Sequence, residues 1–366
     1  MVNALVWGGL ILGIIVGCEI VLGYFTFIES GSNLCEYLQD HSSFALDGFW
    51  LVLVTVTYPL IYICIVSVFY LFDVKAGMEL VFLAAVCKAV CDSMKIAIAY
   101  PRPFWYSDGV EGYTCSFGFG DPSGHGLVST GVYTYVVWRL GLRVEYYILV
   151  FFVVSLMAFE RIYGGLHTYS QYLVGVFIGI YINFLFREFK PFISRSIKAL
   201  KHSPFSVPST VFTFTTLSIA LILYIFRDPW WDEDWNNNVE DDCTDFDSNV
   251  ALKTQFIECL FIFFFIGAVL AYHMIKKERI SIKNCALWHK FCFVFACIAV
   301  LVIGSVITSI DTGVFEIEVF IEIFTTFFQG FFCFGGMCLP FRFLRMPLKD
   351  TEETEELNEE EIQDKN

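Results

Sequence analysis

Three short polar segments in a strongly apolar chain carry the residue types that phosphate chemistry requires. They are residues 95–103 (KIAIAYPRP), 122–125 (PSGH) and 161–171 (RIYGGLHTYSQ). A phosphoryl group in transfer needs cations and N–H donors around its oxygens, a nucleophile in line with the leaving group, and an acid for the leaving oxygen. The three segments together supply each of these types, so the sequence predicts one phosphate-handling site.

Cations and a helix start would hold the phosphate. Lys95 and Arg102 lie in the first segment, and Arg161 opens the third. A guanidinium can donate two parallel hydrogen bonds to a phosphate. Ser123 and Gly124 follow a proline at a predicted helix start, where free backbone N–H groups and the helix dipole favour an anion. These five residues are the predicted phosphate-binding set.

Two histidines can divide the remaining work. His125 lies in the first turn of one predicted helix, and His167 lies at the start of another. One imidazole can attack phosphorus while the other protonates the leaving group. The 13 cysteines show neither CxxC nor Cys/His metal spacing, and no carboxylate cluster accompanies the histidines. Most of the cysteines are therefore expected to be small core residues and not metal or cofactor ligands.

The elements that must position these residues are membrane helices. Hydrophobic residues make up 57% of the 366 residues, and the mean hydropathy is +0.63. Apolar stretches of about 20 residues recur, a length that spans a bilayer as a helix. We predict an all-α, polytopic bundle of roughly ten transmembrane helices. The predicted spans are residues 4–28, 49–72, 77–100, 124–138, 146–159, 167–186, 209–226, 256–275, 291–310 and 317–334.

Loop charges orient this bundle. Residues 187–201 and 276–283 are basic, whereas residues 228–247 contain nine acids and no Lys or Arg. Loops rich in Lys and Arg stay in the cytoplasm, so the acidic loops are predicted to be lumenal or extracellular. The helix that begins at His167 ends at the basic 187–201 loop, which puts His167 at the lumenal end. The same reasoning puts all three polar segments on that face.

Composition also bears on partners and on the ends of the chain. The formal net charge is -15, but no long basic tract exists, so nucleic acid is not an expected partner. Residues 349–366 are acidic and poor in apolar residues, which predicts a disordered cytoplasmic tail. For the first apolar run, residues 4–28, we favour a retained helix over a cleaved signal, because no Lys or Arg precedes it.

Three cysteines fall in predicted loops on one side of the membrane. Cys35, Cys115 and Cys243 could form a disulfide there, and the sequence leaves the pairing open.

The motifs K-x6-RP, PSGH and R-x5-H, in this order, resemble the three signature motifs of the type 2 phosphatidate phosphatase (PAP2) superfamily. That superfamily includes lipid phosphate phosphatases, sphingosine-phosphate phosphatases, glucose-6-phosphatase and, more distantly, vanadium haloperoxidases. The resemblance implies that His167 is the nucleophile of a phosphohistidine intermediate, that His125 is the general acid, and that no metal takes part. It assigns phosphate binding to Lys95, Arg102, Ser123, Gly124 and Arg161.

The resemblance also implies a domain division. A six-helix PAP2-like core would occupy residues 1–187, followed by C-terminal membrane helices at 188–348 and the tail.

The chain departs from the family motifs at two positions of the site. Glu160 stands where the family usually has Ser, and Gln171 stands where it usually has Asp. Glucose-6-phosphatase is similar in having Gln there. A Gln carbonyl can still accept the Nδ1–H bond of the nucleophile, so Gln171 is predicted to orient His167.

The sequence as a whole predicts a metal-independent phosphomonoesterase in the endoplasmic reticulum, another endomembrane or the plasma membrane. A lipid phosphate of the phosphatidate or sphingosine-phosphate type is the favoured substrate, because its tail can stay in the bilayer. The 103–122 loop also offers little basic surface to attract a soluble phosphate. Gln171 and the helices after the core support a sugar phosphatase instead.

A non-catalytic anion-binding or lipid-binding protein, or a transporter, is the alternative from another class. Glu160 and Gln171 would then mark lost catalysis. Few other ionisable residues interrupt the predicted spans to mark a transport path, among them Glu19, Glu258 and Glu322.

Overall fold

A computed structural model describes most of the chain. It covers residues 8–14, 16–17, 27–229, 231–240, 243, 246–277, 282, 285–308, 310 and 312–336. The predicted tail at 349–366 lies outside these residues, as do most of the predicted span at 4–28 and of the basic loop at 276–283. Within the described ranges the regular structure is helical and contains no strand, which confirms the predicted all-α class.

The first half of the chain supplies the elements around the predicted site. They are α1 (Ile28–Asp40), α2 (Phe44–Ser67, continued by the π-helical turn Val68–Phe72), α3 (Val74–Ile98), α4 (Pro103–Tyr106), α5 (Gly124–Arg139), α6 (Tyr146–Tyr163) and α7 (Tyr169–Glu188). The second half adds α8 (Lys190–Leu200), α9 (Val207–Phe226), α10 (Asp234–Glu240), α11 (Ser248–Cys259), α12 (Ile262–Lys277), α13 (Leu287–Thr308) and α14 (Phe315–Cys333).

Several of these helices have the length and composition of membrane spans. In the described part of the chain six stretches qualify, namely Phe44–Phe72, Tyr146–Tyr163, Tyr169–Glu188, Val207–Phe226, Ser248–Lys276 and Leu287–Thr308. The predicted spans at 77–100 and 317–334 are helical too. The helices that contain them, α3 and α14, carry five and three charged residues respectively. The span in α5 has only 16 residues. The chain is a polytopic integral membrane protein, as the composition predicts.

Helix α3 lies at the centre of the bundle. It packs against α5 and α7 on one side and against α9, α11 and α12 of the second half on the other. One continuous apolar core therefore contains residues from both halves, such as Leu83, Leu127, Ile178 and Phe265. The C-terminal helices thus share a core with the helices that carry the polar segments.

Helices α5 and α7 approach each other closely enough for backbone contact. A Cβ atom on Gly175 would clash with the carbonyl oxygen of Ser123, and one on Gly179 would clash with that of Leu127. The four-residue spacing puts both glycines on one face of α7, in the small-xxx-small pattern of close membrane-helix pairs. This contact fixes the start of α5 beside the start of α7.

Helix α1 covers the end of the bundle where the three polar segments meet. It is short and only weakly apolar, with a buried stripe at Ile28, Gly31, Ser32 and Cys35, so the hydropathy pattern did not predict it. The side chain of Gln39 donates to the carbonyl oxygens of Glu111 and Tyr163, at 2.9 Å each. Helix α1 therefore holds the loop between the first and second segments against the third segment.

A disulfide joins the two halves of the chain at the same end. It links Cys115 to Cys243, and Cys35 is instead a buried free cysteine in α1. Next to it, the indole of Trp105 packs against the aromatic rings of Phe119, Trp235 and Phe246. The acidic loop before α11 is thus fastened onto the loop between the first and second polar segments.

Candidate phosphate site

The first and third polar segments are tied by direct hydrogen bonds. The Nε2 atom of Gln171 donates to the carbonyl oxygen of Pro101 at 2.8 Å. The Nη1 atom of Arg102 donates to the carbonyl oxygen of Leu166, next to His167, at 3.0 Å. These bonds bring Arg102 and His167 to one end of the bundle, as predicted.

Arg102 also fastens the loop that leads to the second segment. Its Nε donates to the carbonyl oxygen of Gly118 at 2.6 Å, and its Nη2 to that of Phe119 at 3.4 Å. The side chain is almost fully buried. Burial lowers the pKa of Arg102 to about 10, and the nearby Arg161 cation contributes, so Arg102 remains a cation at neutral pH. It holds the loop and supplies positive charge at the same time.

The second segment joins the site through the start of α5. The backbone N–H of Ser123 donates to the carbonyl oxygen of Gln171 at 3.0 Å, and its hydroxyl caps α5 by accepting from Gly126. The Asp121–Pro122 peptide bond before it is cis. Ser123 is buried, whereas Gly124 and His125 are partly exposed. The helix N-terminus that was predicted to favour an anion therefore adjoins the third segment.

The third segment places Arg161 and His167 on either side of a tight turn. The backbone N–H of His167 donates to the carbonyl oxygen of Arg161 at 3.2 Å, across Gly165, which has a φ of 70°. A Cβ atom on Gly165 would clash with the backbone of Glu111 from the first loop. Only glycine fits this turn, because the position combines a left-handed conformation with close backbone approach.

His167 is buried in a cationic environment. Burial, together with the charges of Arg102, Lys95 and Arg161, lowers its pKa well below the usual value. The imidazole is consequently neutral at pH 7, the form that can act as a nucleophile. Its Nδ1 atom is buried and has no hydrogen-bond partner among the described residues.

Gln171 does not make the predicted bond to the nucleophile in this structure. Its Oε1 accepts from the backbone N–H of Thr168 at 3.1 Å, and the Thr168 hydroxyl accepts from the Gln171 N–H. These two bonds form a capping box at the start of α7. Since the other amide atom is bound to Pro101, Gln171 positions the start of α7 and the first segment instead of the imidazole.

Lys95 has a partner from the second half of the chain. It is buried, and its Nζ lies 3.5 Å from the Oε2 atom of Glu258 in α11. Glu258 stands out in the sequence as one of few acids in an apolar span, but nothing in the pattern linked it to Lys95.

The predicted residues therefore meet at one end of the bundle. Lys95, Arg102 and Arg161 all act electrostatically on His167, as does His125. In the described part of the chain, no group of three or more His, Cys, Asp or Glu side chains could hold a metal ion. The assembled groups could surround an anion with cations and present a neutral imidazole to it, with a second imidazole nearby.

The fold is that of an all-α integral membrane protein, with three cations and two histidines collected at one end of its helices. Residues 76–195 match the family model described as PAP2 superfamily, which supports membership of that superfamily. Proteins of the superfamily are generally phosphatases, which supports a phosphatase here, and the matched segment contains all eight predicted site residues. No curated protein and no solved structure matches the chain significantly.

Proposed function

We propose that the chain hydrolyses a phosphomonoester at this site through a phosphohistidine intermediate. The observation that carries the proposal is the meeting of three buried cations with two histidines at the end of the bundle. Among the residues that the structure describes, only two acids, Glu258 and Glu160, pair with these three cations, and an excess of buried positive charge in a membrane protein favours an anionic substrate.

The proposed reaction has two steps. In the first, the Nε2 atom of His167 attacks phosphorus, the bond from phosphorus to the leaving oxygen breaks, and His125 gives that oxygen a proton. In the second, water attacks the phosphohistidine, the P–N bond breaks, and His125 takes a proton from the water. Lys95, Arg102, Arg161 and the N–H groups at the start of α5 stabilise the negative charge on the phosphoryl oxygens.

The lumenal or extracellular side is the proposed position of the site. The loop between the first and second segments carries Cys115, and the disulfide to Cys243 favours an oxidising compartment. The loop charges give the same orientation independently. The endoplasmic reticulum, another endomembrane and the plasma membrane all provide such a side.

A lipid phosphate is the proposed substrate class. Helix α6, which carries Arg161 in its last turn, exposes Ile148 and Phe151 over most of their surface, so a lipid-facing helix leads to the site. The neighbouring loop exposes acids such as Asp108 and Glu111, which repel a free doubly charged phosphate from solution. A substrate that arrives through the bilayer avoids that repulsion.

A sugar phosphate is the second candidate. Gln255 of α11 is fully buried, and its Oε1 has no hydrogen-bond partner within the described ranges. It lies close to Gly118, the residue whose carbonyl holds Arg102. An unpaired buried acceptor beside the site favours a leaving group that carries hydroxyl donors.

Anion binding without hydrolysis is the candidate from another class, and the ion pair between Glu160 and Arg161 favours it. Release of phosphate by the purified protein distinguishes the three candidates. The substrates are phosphatidate, sphingosine phosphate, an isoprenoid diphosphate and glucose 6-phosphate, each with wild type and His167→Ala. Fast release from a lipid phosphate by the wild type alone is the expected result. Equal, near-zero release by both proteins on every substrate would exclude the enzyme.

A further inference from the structure

A partly buried cluster of charges connects the candidate phosphate site to the C-terminal half of the chain. The Oε2 atom of Glu258 lies 3.3 Å from the Nζ atom of Lys88 and 3.5 Å from that of Lys95. Lys88 also pairs with Asp92, one helical turn away on α3, at 2.9 Å. Glu258 therefore divides its single negative charge between two lysines on the same face of α3.

Glu258 also contacts the loop that Arg102 holds. A Cβ atom on Gly118 would lie 3.0 Å from the Oε1 atom of Glu258 and 2.8 Å from that of Gln255. Glu258 occupies the last turn of α11, where the helix breaks before α12. Its carboxylate is therefore held against both the cation and the loop of the candidate site by a segment outside the matched family region.

We propose that Glu258 competes with phosphate for Lys95 and thereby sets the affinity of the site for phosphate. The inference rests on the proposed function, in which Lys95 binds the phosphoryl group. The ammonium of Lys95 faces a carboxylate, so a phosphate that binds Lys95 must share the ammonium with that carboxylate or displace it. A phosphate bound there also lies near a charge of the same sign, which weakens its binding.

Lys88 makes this competition reversible. When phosphate takes Lys95, Glu258 retains its ion pair with Lys88, so the carboxylate is never left unpaired among apolar helices. When phosphate leaves, the carboxylate again neutralises Lys95. The arrangement keeps the affinity for the product phosphate low, and thereby speeds product release.

The test measures binding of inorganic phosphate to the purified full-length protein, as the rise of its thermal unfolding midpoint in detergent with phosphate concentration. This readout needs no turnover. We expect Glu258→Gln to bind phosphate about tenfold more tightly than wild type, which corresponds to about 1.4 kcal/mol. The matched control, Glu316→Gln, removes the same charge from an exposed position on α14 and should leave the affinity unchanged.

Lys88→Gln gives a prediction of opposite sign. Without Lys88 the carboxylate keeps Lys95 as its cationic partner, beside a hydrogen bond from Gln255, so phosphate should bind several-fold more weakly. In the double variant Lys88→Gln/Glu258→Gln most of that loss should disappear, because Lys88 acts through Glu258. If Glu258→Gln does not fold, Glu258→Asp replaces it; the shorter side chain withdraws the carboxylate, and a smaller gain in affinity is expected.

An unchanged or weaker affinity in Glu258→Gln, or in its Asp replacement, would overturn the inference, because the carboxylate would then hold Lys95 in place instead of competing for it. A loss from Lys88→Gln that persists in the double variant would overturn the role of Lys88. The proposed function fails separately: a wild-type protein that hydrolyses no phosphomonoester, but whose phosphate affinity responds to Glu258→Gln, refutes hydrolysis and retains the competition.

Discussion

The carboxylate of Glu160 binds the guanidinium of its neighbour Arg161 at two points, with Oε2 2.6 Å from Nε and Oε1 2.5 Å from Nη2. Glu160 is completely buried, and the indole of Trp50 donates to its carbonyl oxygen at 3.0 Å. A phosphate that approaches Arg161 therefore meets a guanidinium in which one pair of donors, on Nε and Nη2, is already in use. Glu160, like Glu258, reduces the positive charge available to the substrate.

Glu160→Gln should separate stability from phosphate affinity. Arg161 would lose its counter-charge in a buried position, which costs about 3–5 kcal/mol, so the unfolding midpoint without ligand should fall. Phosphate would then restore a partner, and the rise of the midpoint with phosphate should exceed that of wild type.

The control for this prediction is Glu145→Gln at the other end of α6. Glu145 pairs with Arg143 on the surface, and such exposed pairs contribute little to stability. Both quantities should match wild type in this control. If Glu160→Gln lowered the midpoint and also weakened phosphate binding, Glu160 would be required to orient Arg161 for its ligand.

The two histidines should respond differently to the leaving group. A nitrophenolate leaves without protonation, so His125→Ala should lose far less activity on a nitrophenyl phosphate than on an alkyl phosphate, where general acid catalysis contributes about 10²–10⁴-fold. His167→Ala removes the proposed nucleophile and should lose activity equally on both substrates. The measurement is kcat for each substrate, with His202→Ala, an exposed histidine outside the site, as the control.

Equal losses on both substrates in His125→Ala would contradict its assignment as the acid. Phosphoenzyme trapped by acid quench from a labelled substrate in His125→Ala, and its absence in His167→Ala, would locate the covalent step at His167.

The sequence predicted the elements whose signal is local. Long apolar runs indicated the helices, and the order of the three motifs with the loop charges indicated that their residues meet at one end. Helix α1 escaped prediction because its buried stripe is narrow and its composition is mixed. The contact of Lys95 with Glu258 escaped because it joins distant segments by tertiary packing alone. The capping box of Thr168 and Gln171 fits a known sequence pattern. The family's Asp at the position of Gln171 instead led to the prediction that Gln171 orients His167.

Gly179→Leu should separate α5 from α7. The leucine side chain would overlap the backbone of Leu127, and overpacking of this kind costs about 1–3 kcal/mol. Because the start of α5 carries Ser123 and His125, we expect kcat/KM to fall more than stability alone explains. The measurements are the unfolding midpoint and the rate at a temperature where the variant is fully folded.

Gly48→Leu is the matched control, since a Cβ atom on Gly48 of α2 would meet nothing within 4 Å. Similar effects of the two substitutions would show that the close approach of α5 and α7 does not determine the site geometry.

The disulfide between Cys115 and Cys243 should support both the loop next to Arg102 and the position of α11. It closes a separation of 128 residues, and loss of a native disulfide typically costs about 2–5 kcal/mol. We expect Cys115→Ser to lower both the unfolding midpoint and kcat/KM, because Glu258 and Arg102 lose a common anchor. Cys292→Ser, which changes an exposed free thiol, should alter neither quantity.

The same disulfide tests the orientation of the site. In sealed vesicles with the cytoplasmic side outward, an impermeant reductant should expose two additional thiols to maleimide only after the membrane is permeabilised. Labelling before permeabilisation would place the disulfide on the cytoplasmic side and would contradict the proposed lumenal site.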